Sequence, residues 1–236
     1  MKFFIDTEFI EGFSASYYKL PVSFKQRHYI DLISIGITDE SGREYYAISN
    51  EFNPDHADKW VQDNVLYPIM AENGYSKNLS NLHGCLGYES HAIKRVQKRI
   101  GKSNQQIAKE VLDFIYGFDF SNADRYSETA LDANMKRNTP IEMYGYYSGY
   151  DWVLFCSLFG RMIDLPKYFP MYCRDLKQII DEKVYRMTEG FVPDATFENK
   201  LNYVKQLKEY PKEVDEHNAL ADARWNKKLF DFIKTL

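Results

Sequence analysis

Asp6-Thr7-Glu8 closes the apolar run Phe3-Phe4-Ile5 at the start of the chain. The run reads as a buried strand over residues 2–6. Residues i and i+2 of a strand point to the same face, so a strand carried to Glu8 aims both carboxylates at one spot. Two like charges held together in a partly buried place repel each other and lose hydration. A folded chain keeps such a pair most easily with a cation between them. Hard oxygen donors with no Cys or His nearby favour Mg²⁺ or Mn²⁺ over Zn²⁺. The first eight residues therefore point to a divalent-metal site.

The length of 236 residues is most simply one domain, residues 1–236, with insertions. An apolar fraction of 44% is ample for a core. The three cysteines, Cys85, Cys156 and Cys173, are an odd set without C-x-x-C spacing. That pattern argues against a disulfide framework or a zinc knuckle and fits a reducing compartment. Asp6 ends the first apolar run too early for a signal peptide, and no stretch approaches the roughly 20 apolar residues of a membrane span. A cytoplasmic location and no membrane partner are expected. The net charge of -4 is wrong for a protein that coats nucleic acid by charge alone. It leaves room for a nucleic-acid enzyme, because carboxylates that bind cations count as negative only in the bare tally. Nucleic acid would then be gripped locally, at an end or in a short groove.

The pattern along the chain predicts a mixed sheet flanked by helices. Ile30 to Thr38 alternates with the period of a strand, Asp39-Glu40-Ser41-Gly42 is a turn, and Glu44 to Ser49 is the return strand. Asp55 to Leu66 reads as a short helix after Pro54, and Pro68 to Gly87 as loop. His91 to Lys102 reads as an amphipathic helix with Ile93, Val96 and Ile100 on one side. Ser103 and Gln106 have the spacing of a capping box, and Ile107, Val111, Leu112 and Ile115 follow at helical intervals, which predicts a helix over Asn104 to Tyr116. Residues 119–138 are polar and loop-like. Ile141 to Tyr147 reads as a strand, Trp152 to Phe159 as a helix, Met171 to Arg174 as a short fifth strand and Asp175 to Val184 as a helix. Residues 186–200 look loose. His217 to Ile233 reads as a closing helix with Leu220, Ala223, Leu229 and Phe232 inward.

A carboxylate recurs at the edge of an apolar element: Asp6 and Glu8, then Asp151 after the strand ending near Tyr147, then Asp222 in His217-Asn218-Ala219-Leu220-Ala221-Asp222-Ala223-Arg224. Each alone has an ordinary reading. A D-x-E at a strand end is commonly a solvated edge, Asp151 a helix N-cap and His217 a surface or capping residue. The small alanines around Asp222 let backbones pack closely there.

In order and context, these motifs resemble the DEDD superfamily of 3′→5′ exonucleases. The resemblance places Asp6 and Glu8 in the first motif, Asp151 in the second, and His217 with Asp222 in the third. His217 stands five residues before Asp222, the spacing of the DEDDh branch. The opening F-I-D-T-E-F-I-E, the segment L-I-S-I-G-I-T-D-E-S-G-R-E-Y-Y-A-I-S, G-Y-D-W-V and H-N-A-L-A-D-A-R are similar to the small bacterial exoribonucleases of the mycobacterial type. The similarity covers about residues 2–50, 103–118, 140–184 and 215–235, with insertions at about 62–102 and 119–138. Position 148 is Ser where many DEDD enzymes carry Asn before the second-motif Asp.

The resemblance implies an RNase H-like fold with a five-stranded mixed sheet, two Mg²⁺ or Mn²⁺ ions, and nucleoside 5′-monophosphates released singly from the 3′ end of single-stranded RNA. It implies that Asp6 bridges both ions, that Glu8 and Asp222 complete the nucleophile-side site, and that Asp151 serves the leaving-group side. His217 would take a proton from the attacking water, a task suited to an imidazole with its ordinary pKa of about 6.5. Thr7, Phe9, Ser148 and Tyr150 are candidate substrate contacts, because they flank the carboxylates and aromatic faces hold single-stranded bases. Tyr147 has the same option. Lys94, Lys98 and Lys102, with Arg95 and Arg99 beside them, form a basic stripe on a helix, read either as a phosphate guide or as solvated surface. A DNA 3′→5′ exonuclease and a non-catalytic nucleic-acid-binding domain on the same fold stand as alternatives, and a homodimer is within the family's habits.

Overall fold

The computed structural model describes residues 1–13, 28–75, 88–117, 140–188, 196–212 and 217–236. Strand β1 (Lys2–Phe13) runs through the acidic pair, and its residues alternate between two faces. Phe3, Ile5 and Phe9 pack into one apolar cluster, while Phe4 and Ile10 pack into clusters on the opposite face. That alternation puts Asp6 and Glu8 on the face of Phe4 and Ile10. Strands β2 (His28–Asp39) and β3 (Glu44–Ile48) extend the sheet antiparallel. The turn between them is held by Asp39, whose Oδ1 accepts from the Ser41 and Arg43 N–H groups, both at 2.9 Å.

The chain then leaves the sheet. It passes through α1 (Lys59–Val61), a π turn (Gln62–Leu66), α2 (Tyr67–Glu72), α3 (Tyr88–Ile100) and α4 (Asn104–Tyr116). Strand β4 (Glu142–Gly145) returns parallel to β1 and leads into α5 (Gly149–Ser157). Strand β5 (Arg174–Asp175), parallel to β4, leads into α6 (Leu176–Thr188). Helices α7 (Phe197–Lys205) and α8 (Ala219–Ile233) follow. The sheet order is β3-β2-β1-β4-β5, with β1 in the middle.

Helices cover both faces. Ile107, Val111 and Ile115 of α4 with Leu154 and Phe155 of α5 pack on Phe3, Ile5, Ile35 and Ile37. On the other side α6, α7 and α8 bring Leu176, Ile180, Val204, Trp225 and Leu229 against Phe4 and Tyr144. A third cluster joins Ile10, Ile33 and Ile48 to Val65, Leu66, Ile69, Ile93 and Val96. This is the mixed, helix-flanked sheet of an RNase H-like fold.

Several elements differ from expectation. Strand β1 continues past Asp6 to Phe13 because β2 pairs along its whole length. Pro68 sits in the first turn of α2, which continues directly from the π turn, so the expected loop begins as helix; residues 76–87 lie outside the described set. Ile100, at the last turn of α3, is 41% exposed instead of facing the core. The stretch read as loose over 186–200 contains the end of α6 and the start of α7. Helix α7 is capped by Thr196 and anchored by Leu201 and Val204. The loop-like segment 119–138 lies outside the described residues.

Candidate active site

Pairing of β1 with β4 ends at Phe4↔Tyr144, so Asp6 and Glu8, in the middle of β1, lie just past the carboxyl end of the adjacent parallel strand β4. Open α/β sheets place ligands at such carboxyl ends. A β-bulge interrupts the β1–β2 register between Glu8 and Phe9. Bulges locally increase twist and re-aim side chains, and they gather near active sites. Beyond β4 the chain reverses through Tyr147, whose φ of 53° lies in the left-handed region. It then enters α5, with Ser148 at the N-cap position and Asp151 in the first turn. Asp151 does not cap α5 as a lone Asp would be expected to. Its Oδ1 accepts from the Thr7 N–H at 2.9 Å and the Thr7 Oγ1 hydroxyl at 2.6 Å, both buried. One residue of β1 thus aims Asp151 at the Asp6–Glu8 pair.

Asp222 arrives from the other direction on α8. Gly36 of β2 lies opposite Asp6 in the register. A Cβ at Gly36 would stand 2.2 Å from the Ala219 carbonyl oxygen, so the first turn of α8 sits directly on the sheet backbone. Asn218 caps that turn by accepting from the Leu220 and Ala221 N–H groups at 3.1 and 3.2 Å. One turn after Asp222, buried Asn226 donates through Nδ2 to the Ile5 carbonyl at 2.9 Å. Residues four apart share a helix face, so this bond turns Asp222 toward β1.

Ligand oxygens of Asp6, Glu8 and Asp222 all lie within 4.8 Å of one another. Burial, then the charges of Asp151, Glu8 and Asp222, holds the Asp6 carboxyl well above the usual carboxylate range. Asp6 keeps some accessible surface, yet protein atoms surround it closely. Burial, followed by Asp222 and Asp151, pushes Glu8 up to about 8. Burial also raises Asp151 to about 6, against the opposing pull of the two Thr7 hydrogen bonds. Such a group attracts either protons or a cation. Among the described residues it contains no thiol or imidazole, and its hard oxygen donors suit Mg²⁺ or Mn²⁺.

The His217 backbone N–H donates to Asp222 Oδ2 at 3.0 Å, and His217 itself has a φ of 67°. A non-glycine residue in that region carries strain, which structures tend to retain at functional sites. Its ring meets the Trp60 indole edge-to-face, with centroids 4.7 Å apart. Thr7 is buried against Asp151, and Ser148 is buried at the head of α5. Phe9 lies edge-on to Tyr150 at 5.5 Å, and Tyr150 in turn stacks with His28 at 5.7 Å. Tyr150 and Tyr147 are exposed.

The basic stripe is broken by local partners. Lys94 pairs with Asp55 at 2.8 Å and Lys102 with Glu110 at 2.5 Å, while Arg99 donates to Asn73 Oδ1 at 2.8 Å. Lys102 also lies past the end of α3. Gly36, Asn218, Asn226, His28 and Trp60 were missed from sequence. The i, i+4 spacing of Asp222 and Asn226, and an Asn directly before the alanines, were the available signals.

The geometry agrees with the comparisons. Two proteins from Mycobacterium tuberculosis, 3'-5' exoribonuclease Rv2179c (strain ATCC 25618 / H37Rv) and 3'-5' exoribonuclease MT2234.1 (strain CDC 1551 / Oshkosh), are similar to this chain. Each is 27% identical over 225 residues, covering 95% of this chain and 88% of the relative. The model of the 3'-5' exoribonuclease Rv2179c-like domain matches residues 23–234, a range that includes Asp151, His217 and Asp222. A match over so much of the sequence means that the chain belongs to the Rv2179c-like 3'-5' exoribonuclease domain family.

Proposed function

We propose that the chain is a divalent-metal-dependent 3′→5′ exoribonuclease of the DEDDh type. It would remove nucleoside 5′-monophosphates one at a time from the 3′ end of single-stranded RNA. The observation that carries this reading is the meeting of Asp6, Glu8 and Asp222 within 4.8 Å, beside an Asp151 held by Thr7. The position of His217, five residues before Asp222 and bonded to it through the backbone, supports the DEDDh assignment.

Asp6, Glu8 and Asp222 would hold the cations, with Asp151 completing the site. Two bound Mg²⁺ or Mn²⁺ ions would supply the Lewis acidity that activates a water and offsets charge on the departing oxygen. The protein's own part is orientation and proton transfer. Thr7 fixes the direction of Asp151, which gives it a positioning role in place of a substrate contact. Gly36 and Asn226 fix the approach of Asp222. His217 accepts the proton of the attacking water at an imidazole nitrogen. Tyr150, the neighbour of Asp151 in α5, forms an aromatic row with Phe9 and His28 that can receive the terminal bases by stacking.

The test uses end-labelled single-stranded RNA and DNA with Mg²⁺, Mn²⁺ or EDTA, reading product length over time. Mononucleotides from RNA, dependent on the metal and lost in Asp6→Ala and Asp222→Ala while their circular dichroism stays that of the folded protein, are expected. Full activity of Asp6→Ala in Mg²⁺ refutes the site. Degradation of DNA in preference to RNA refutes the substrate.

A further inference from the structure

We propose that Trp60 is a positioning residue for His217, an inference that rests on His217 being the proton acceptor. The two residues are far apart in sequence, yet their rings stand 4.7 Å apart at an interplanar angle of 77°. Aromatic pairs favour this edge-to-face arrangement. Trp60 is 52% exposed, so burial in the core does not account for its place.

What fixes the indole is its mount. The N-terminus of α1 is capped by Asp58, whose Oδ1 accepts from the Val61 N–H at 2.8 Å. Gln62 Nε2 donates to the Ala57 carbonyl at 2.7 Å, and Asn64 Nδ2 donates to the Trp60 carbonyl at 2.9 Å. The helix then widens into the π turn, whose Val65 and Leu66 are buried in the cluster under Ile10 and Ile33. π turns inside helices recur at functional sites. Trp60 is therefore presented from a well-anchored base built by the segment after β3.

His217 needs such a wall. Its backbone is held by the bond to Asp222 and by its left-handed conformation. Those contacts orient the main chain and leave rotation of the side chain to be limited by neighbours. The indole supplies that limit on one side. The segment between β3 and the π turn thereby contributes to turnover.

The test compares wild type, W60A, W60F, H217A and W60A/H217A on single-stranded RNA with Mg²⁺. Misplacement of a catalytic group is felt in turnover, so W60A should lower kcat about tenfold or more with KM unchanged within about twofold. W60F, which retains an aromatic wall, should recover most of that loss, and the thermal midpoint of both should match wild type. In the H217A background the W60A substitution should have no further effect, since its target is gone. A rise in KM at unchanged kcat would instead make the indole an RNA contact and overturn the proposal. So would an equal loss of kcat with and without His217, although His217 would remain the base. Full turnover by H217A alone would overturn the reading of His217 itself.

Discussion

Glu8 shows most clearly what crowding carboxylates does to a single side chain. Its proton is held up to about pH 8 against an ordinary value of 4.5. Between those values the folded protein without metal binds more protons than the unfolded chain. Stability is therefore greatest below about pH 4.5 in this respect and is lost as pH rises toward 8. Asp6 acts in the same direction. In EDTA, the thermal midpoint of wild type is expected to fall relative to that of Glu8→Gln as pH rises from about 5 to about 8. Saturating Mg²⁺ or Mn²⁺ should remove most of the difference, because bound cation replaces the proton in the folded state. Parallel melting profiles for the two proteins in EDTA would contradict this. Thr7 acts in the opposite direction on Asp151, because its two hydrogen bonds favour the charged carboxylate. A hydrogen bond to a charged group contributes about 1.5–3 kcal/mol. Thr7→Val, which keeps the shape and loses the 2.6 Å hydroxyl bond, should lower kcat about tenfold or more, while Thr7→Ser keeps most of it. Steady-state kinetics on single-stranded RNA with equal rates for Thr7→Val and wild type would mean that the backbone N–H alone orients Asp151.

Helix α8 brings the third motif to the first through contacts that leave little slack. Gly36→Ala would drive a methyl into the Ala219 carbonyl, and neither backbone can yield as a flexible side chain can. The expected cost is about 3 kcal/mol or more, with loss of metal-dependent hydrolysis in whatever protein remains folded. Urea unfolding and the RNA assay check both, and near-normal stability with normal activity would refute the close approach. Elements of this kind differ in how plainly the sequence announces them. Helix α4 was legible because the Ser103 cap and the 3.6-residue spacing of Ile107, Val111 and Ile115 agree, and its bounds are as expected. The Gln106 amide also braces the helix, its Nε2 donating to Glu110 Oε1 at 3.0 Å. Helix α7 was missed because its few inward residues, Leu201 and Val204, sit in a polar stretch with little periodic signal. The outer half of β1 was missed because Glu8 and Glu11 break the apolar run, and only pairing with β2 shows it to be strand.

Across the whole molecule, distance in the chain hides what the fold brings together. The carboxylates were readable because each borders an apolar run in a recurring order, and the parallel pairing of β1 with β4 and the close seat of α8 on β2 bring those borders together. The supports were less readable. Gly36 reads as an unremarkable strand glycine until α8 lies on it, and Asn226 reads as a polar residue in an amphipathic helix until it faces the Ile5 carbonyl. The basic stripe shows the opposite case, a pattern visible in sequence of which Lys94, Arg99 and Lys102 are taken up by Asp55, Asn73 and Glu110. A net charge of -4 fits an exoribonuclease that does not coat RNA by charge alone. The most direct test is a crystal soaked in Mn²⁺ and measured at the manganese edge. Anomalous density is expected between Asp6, Glu8 and Asp222, and absent from Asp6→Asn crystals treated identically. Density confined to other parts of the surface, from protein that hydrolyses RNA in Mn²⁺, would contradict the account.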